Sequence, residues 1–138
     1  MMKAAVNARY GSPDVLEIRQ VPKPSPKAGE LLIQVHATTV TRTDCGMLRP
    51  HPFFVRLFAG LLRPKRTILG MDFAGEVAAL GTGVTSFKPG DRVFGLSPDL
   101  YGAHAEYICV SEKGAIATMP AELRFGENVV CEGAWYAD

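Results

Sequence analysis

The sequence is short of everything that would tie it to a disulfide framework, a membrane span or a nucleic-acid partner. Cysteine occurs only three times in 138 residues, at Cys45, Cys109 and Cys131. The number is odd, the spacing is wide and no C-x-x-C occurs. This excludes a disulfide scaffold and a structural zinc knuckle, and it fits a reducing, cytoplasmic setting. No stretch approaches the ~20 consecutive apolar residues that cross a bilayer, and Met1 to Tyr10 lacks the apolar core of a signal peptide. An excess of one charge is missing too. Fifteen Lys and Arg against fourteen Asp and Glu leave a formal charge of +1, far from the basic surplus of nucleic-acid-binding domains. No internal repeat is present.

The chain has instead the composition of a single globular domain with a core, 47% hydrophobic and 21% charged. Leu31, Ile33, Val35 and Ala37 alternate with Leu32, Gln34, His36 and Thr38 at a period of two, which predicts a half-buried strand. Before it, Val21 to Glu30 crowds prolines around Lys and Ser and predicts an extended, turning connection between two strands. Met71 to Leu80 reads as another strand, closed by a hairpin turn at Gly81-Thr82-Gly83. Lys88-Pro89-Gly90-Asp91 predicts a turn into a strand at Arg92 to Leu96, with further strands at Ala103 to Val110 and Ala115 to Thr118. Helical spacing is confined to Glu127 to Tyr136. Many short strands between turn signals suggest a barrel.

Chemistry concentrates in Val40-Thr41-Arg42-Thr43-Asp44, where two hydroxyls, a guanidinium and a carboxylate follow a strand. With Gly70-Met71-Asp72-Phe73-Ala74-Gly75-Glu76-Val77, Lys88-Pro89-Gly90-Asp91-Arg92-Val93 and Tyr101-Gly102-Ala103-His104-Ala105-Glu106-Tyr107, this run resembles the medium-chain dehydrogenase/reductase superfamily. The likeness covers nearly the whole chain. It implies the N-terminal, GroES-like domain of such an enzyme: a mainly β, partly open β-barrel with short helices. Residues 1–125 would form this substrate-side domain, and 126–138 would start a helical connection to a missing Rossmann domain.

In zinc-dependent members a cysteine stands at the position of Thr41 and a histidine at that of Met71. A neutral hydroxyl and a thioether are poor ligands for Zn²⁺, so no zinc and no other metal is expected. Cys45 lies one residue beyond Asp44, and on an extended segment such a shift points a side chain the other way. It is read as an ordinary, buried or half-buried cysteine. The four-cysteine lobe that zinc-dependent relatives insert after Gly-Asp-Arg-Val is absent. These losses resemble the quinone oxidoreductase branch, which departs from this chain in carrying asparagine at Thr41 and tyrosine at Gly46, both lining the nicotinamide end of the cleft.

The resemblance implies reduction of a quinone, enone or aldehyde by NADPH or NADH, the cofactor being bound mainly by the missing domain, in an enzyme that would be a homodimer when complete. Thr43 would be the catalytic hydroxyl, and Thr41 and Arg42 would meet the cofactor. Asp44, Met71 and Asp72 would line the substrate cleft, the two carboxylates bonding backbone amides or Arg42. His36, His51 and His104 have no metal spacing and are read as ordinary polar residues. Arg49 to Arg66 mixes five basic residues with apolar ones and has no acid. Pro50, Pro52 and Pro64 limit an amphipathic helix, so it is read as a loop or short helix beside the cleft mouth, with no membrane partner. Gly81-Thr82-Gly83 is a turn rather than a phosphate loop, because the third glycine of a dinucleotide fingerprint would fall on Ser86. A stand-alone GroES-like binding or assembly module remains the alternative; the fragment by itself is expected to be inactive.

Overall fold

The computed structural model describes residues 1–50, 54, 57, 60–97 and 101–127. Its first two strands, β1 (Met2–Asn7) and β2 (Leu16–Val21), form an antiparallel pair around a short 3-10 turn at Pro13–Val15. A second sheet has the order β6-β3-β4-β5-β7, built from β3 (Glu30–Thr38), β4 (Asp72–Leu80), β5 (Arg92–Leu96), β6 (Tyr107–Ser111) and β7 (Ile116–Thr118). One helix, α1 (Arg42–Leu48), follows β3. The fold is mainly β, as expected. The two sheets are joined by single bridges, Ala4 to Ala105 and Val6 to Ile68, and do not close into a barrel.

Strand register explains the core. Leu31 and Ile33 on β3 stand opposite Val110 and Ile108 on β6, and Ile33 also faces Val77 on β4. Phe73, Val77 and Val93 complete this inner face, all of them at 2% exposure or less. Burying each such side chain contributes roughly 1.5–3 kcal/mol. The alternate residues, among them Gln34, His36, Glu76, Arg92 and Tyr107, fall on the outer face. Leu32 is buried there as well, where strict alternation would have exposed it.

Several expected boundaries move. The tight turn expected at Gly81-Thr82-Gly83 is present, with Gly83 at φ +81° and Val84 N–H donating to Gly81 O (3.5 Å), but it does not join the strands directly: β5, the antiparallel neighbour of β4, starts only at Arg92 after the second turn. Gly81 has another duty: a Cβ there would strike the Lys27 carbonyl oxygen, so the glycine lets the proline-rich connection pack on the end of β4. The regular strand expected from Ala103 begins only at Tyr107, because residues 103–106 bond across to β1, with Ala5 N–H donating to His104 O (2.9 Å) and Glu106 N–H to Lys3 O (3.0 Å). Phe125 to Glu127 begin a helical turn, and the remainder of the expected C-terminal helix lies outside the described residues. Among the described residues no helix is long and apolar enough to cross a membrane.

Candidate functional site at the β3–α1 junction

The residues singled out in the sequence gather where β3 ends and β4 begins. Thr41 is the N-cap of α1, in extended backbone conformation. Its hydroxyl accepts from the Asp44 backbone N–H (3.3 Å), while the Asp44 carboxylate accepts from the Thr41 N–H (2.8 Å). This reciprocal capping box satisfies two of the helix's otherwise unpaired donors. It also corrects one premise: from Arg42 onward the segment is helical, not extended, so Cys45 is turned about a quarter of a circle from Asp44. Cys45 is exposed rather than buried.

Asp44 is the hub. Only 4% exposed, it takes the Thr41 hydroxyl (2.9 Å) as well as the Thr41 amide on Oδ2, and the Gly70 N–H (3.1 Å) on Oδ1. Three donors on one carboxylate offset the cost of burying it. Gly70, at φ +109°, brings the chain past this point; a Cβ there would lie 2.6 Å from the His104 backbone nitrogen. Next to it, Met71 Sδ stands 3.7 Å from the Thr41 hydroxyl. The two positions that the resemblance matched to zinc ligands are thus brought together here as a hydroxyl and a thioether. A hydroxyl has one proton to give, so Thr41 donates either to the carboxylate or to the weaker sulfur acceptor.

Asp72 is equally buried but belongs to a neighbouring cluster. The Thr39 hydroxyl donates to its Oδ2 (2.6 Å) and the Thr38 hydroxyl to its backbone oxygen (2.7 Å). The expected bonding of Asp44 to backbone amides is present; Asp72 is held by hydroxyls instead, and neither carboxylate meets Arg42. Arg42 and Thr43, on the first turn of α1, are exposed. The structure therefore brings Thr41, Asp44 and Met71 into contact, places Asp72 beside them, and leaves Arg42 and Thr43 facing outward.

Three residues not singled out in the sequence hold this junction. Thr39 clamps Asp72, and its carbonyl accepts from His104 Nε2 at 2.9 Å. Ser97, 4% exposed, donates its hydroxyl to Gly70 O (2.7 Å) and its amide to Met71 O (2.6 Å). The signal that was available was the threonine pair at the end of β3; Ser97 had none. Tyr101 closes the far side with its hydroxyl 3.2 Å from Met47 Sδ. Burial pushes its phenol above the ordinary range, partly offset by the Arg66 charge. Among the described residues no group of three His, Cys, Asp or Glu is arranged to hold a metal, and His51 lies outside them.

Residues 27–121 match the alcohol dehydrogenase GroES-like domain. The chain belongs to that family. It is 35% identical over 130 residues to a quinone oxidoreductase of Sus scrofa, covering 93% of this chain and 36% of the relative. A chloroplastic quinone-oxidoreductase homolog of Spinacia oleracea is 38% identical over 128 residues, covering 87% and 36%. The solved quinone oxidoreductase of Coxiella burnetii superposes with a TM-score of 0.79 at 32% identity, over 91% of this chain and 39% of that one. A mycobacterial protein solved with NADPH gives 0.71 at 27% identity, over 91% and 34%. This GroES-like chain spans about a third of the length of these relatives and corresponds to their N-terminal part.

Proposed function

We propose that this chain is the substrate-side part of an NAD(P)H-dependent oxidoreductase that reduces a quinone, enone or aldehyde without zinc, and that residues 1–125 form that part while 126–138 lead toward a nucleotide-binding domain. The observation that carries the reading is the Thr41–Met71 contact beside an Asp44 whose two oxygens are both already hydrogen-bonded. Zn²⁺ takes thiolate, imidazole or carboxylate in a tetrahedral set. Here the pair supplies a neutral hydroxyl and a thioether, and the nearby carboxylate is already committed to three donors. The donor set does not fit the metal.

The nicotinamide cofactor, when bound, supplies the hydride. The chain's own residues then divide the remaining work. Arg42, a permanent cation on the exposed first turn of α1, suits an anionic cofactor group such as a pyrophosphate. The Thr41 hydroxyl is engaged at Asp44 and Met71; Thr43 is exposed, which leaves its hydroxyl free of that cluster, and in this reading it donates to a substrate oxygen as that oxygen gains charge. Asp44, Asp72, Thr39 and Ser97 keep the junction in one geometry, so that these groups are positioned before the substrate arrives.

The test is NADPH and NADH oxidation by the full gene product with a quinone or an enone as acceptor, in the presence and absence of a zinc chelator. The reading predicts chelator-insensitive turnover, and a fall in kcat/KM of about 10- to 100-fold for Thr43→Val, the worth of one hydrogen bond to a charged oxygen. Chelator-sensitive activity, or bound zinc near one equivalent, would contradict it. No oxidation by any pairing would favour the binding-module alternative.

A further inference from the structure

We infer that Arg92, Phe125 and His36 form a latch that fixes the direction in which the chain leaves the sheet. Arg92 is then a positioning residue for the oxidoreductase proposed above; this functional part rests on that reading. Arg92 opens β5 opposite Glu76 on the outer face. The turn before it is fixed by the Asp91 carboxylate, which accepts the Lys88 N–H (3.0 Å), and by Gly90 N–H donating to Val77 O (2.8 Å). From that anchored start the guanidinium reaches the segment after β7. It donates to Leu123 O (2.8 Å) and to Ala121 O (3.3 Å), and its Cζ lies 4.6 Å from the centre of the Phe125 ring. The Arg92 carbonyl accepts the Met119 N–H (2.9 Å). His36 on β3 stacks on the same ring, with centroids 4.4 Å apart and planes 9° from parallel.

These contacts define a path. The chain leaves β7 beside Val93 on β5 and runs over the outer face until Phe125 rests against His36. His36 is two residues before Thr38, whose hydroxyl holds the Asp72 backbone oxygen. Phe125 therefore rests on the outer face against a residue two positions before the end of β3, the end that leads into the Thr39–Asp44 junction. Only an arginine meets all three demands on residue 92. A planar fork reaches two carbonyls while its face lies on an aromatic ring, whereas a lysine has a single point of charge. This gives the Gly-Asp-Arg-Val motif a duty at the chain exit in addition to its turn.

The test is hydrogen–deuterium exchange, read by mass spectrometry, on the 138-residue chain and on the full gene product bearing Arg92→Lys or Phe125→Leu. Losing one or two of these bonds should speed exchange at residues 119–127 about tenfold, with β3 and β4 amides unchanged. Unchanged exchange at 119–127 would overturn the latch. In the full gene product the same variants should lower kcat at least several-fold while the unfolding midpoint falls by no more than about 5 °C, and Phe125→Tyr, which keeps the stack, should retain both wild-type exchange and kcat. A loosened segment with normal kcat would overturn the positioning role. Should Arg92→Lys fail to fold, Phe125→Leu decides alone. An inactive wild-type enzyme would count against the oxidoreductase reading and the positioning role with it, while the exchange result would still decide the latch.

Discussion

Replacing Asp44 with asparagine perturbs the junction at its most connected point. The carboxylate accepts three hydrogen bonds, from the Thr41 amide, the Thr41 hydroxyl and the Gly70 amide, on a residue that is almost wholly buried. Asparagine keeps the shape but only one oxygen. If that oxygen faces Thr41, the new NH₂ meets the Gly70 N–H donor to donor; if it faces Gly70, the clash moves to the Thr41 amide. Leaving a buried donor unsatisfied costs about 1–3 kcal/mol, and the remaining bonds weaken when their acceptor loses its charge. A damaged helix cap adds about 1 kcal/mol. The sum is about 3 kcal/mol, or roughly 10 °C in unfolding midpoint for a chain of this size. Urea unfolding followed by circular dichroism measures it. Thr43→Val, one residue earlier and exposed, is the control and should change stability by less than about 0.5 kcal/mol. A loss below about 1 kcal/mol for Asp44→Asn would refute the reasoning, since a carboxylate that saturates three donors cannot be replaced so cheaply.

Other outcomes rest on the same structure. Glu112 accepts amides from Thr85 and Ser86, chiefly Thr85, and this holds its carboxyl below the ordinary value. A depressed folded-state pKa gives stability that is present above the usual carboxylate range and lost as pH falls through the folded value. Amide chemical shifts of Thr85 and Ser86 should therefore titrate only in acid, and not at all in Glu112→Gln. Burial, reinforced by Glu30 and offset by Lys27, pushes the Cys109 thiol up to about 11, whereas Cys45 is exposed. Peptide mapping after iodoacetamide treatment in mild alkali should find Cys45 alkylated well before Cys109; equal rates would contradict this. Gly46 sits inside α1, and a Cβ there would meet nothing within 4 Å. Gly46→Ala should stabilise the chain by about 0.5–1 kcal/mol in urea unfolding, from helix propensity alone.

How much of this could be read beforehand depends on how local each feature is. The alternation from Leu31 to Thr38 gave β3 and its inner face, because a half-buried strand writes its period into adjacent residues. The turn at Lys88 to Asp91 was legible for the same reason. Thr41 and Asp44 were recognised through a family pattern, yet their spacing, a threonine three residues before an acid, is also that of a capping box and would have revealed α1 without any relative. What stayed hidden depends on pairing between distant segments. Ser97 reaches Gly70, Thr39 reaches Asp72, and Arg92 reaches Leu123 and Phe125, each across 27 to 33 residues. No local composition encodes such contacts. The turn at Gly81 to Gly83 was legible, but the close approach of the Lys27 carbonyl to Gly81 was not, nor was the length of the connection that follows before β5.

We propose that this chain supplies one side of a zinc-free site and leaves the nucleotide to another domain. Calorimetric titration of the 138-residue chain with NADPH and NADH, beside the full gene product under the same conditions, tests it most directly. No binding heat is expected for the chain alone and saturable binding for the full product; saturable binding by the chain alone would contradict the proposal.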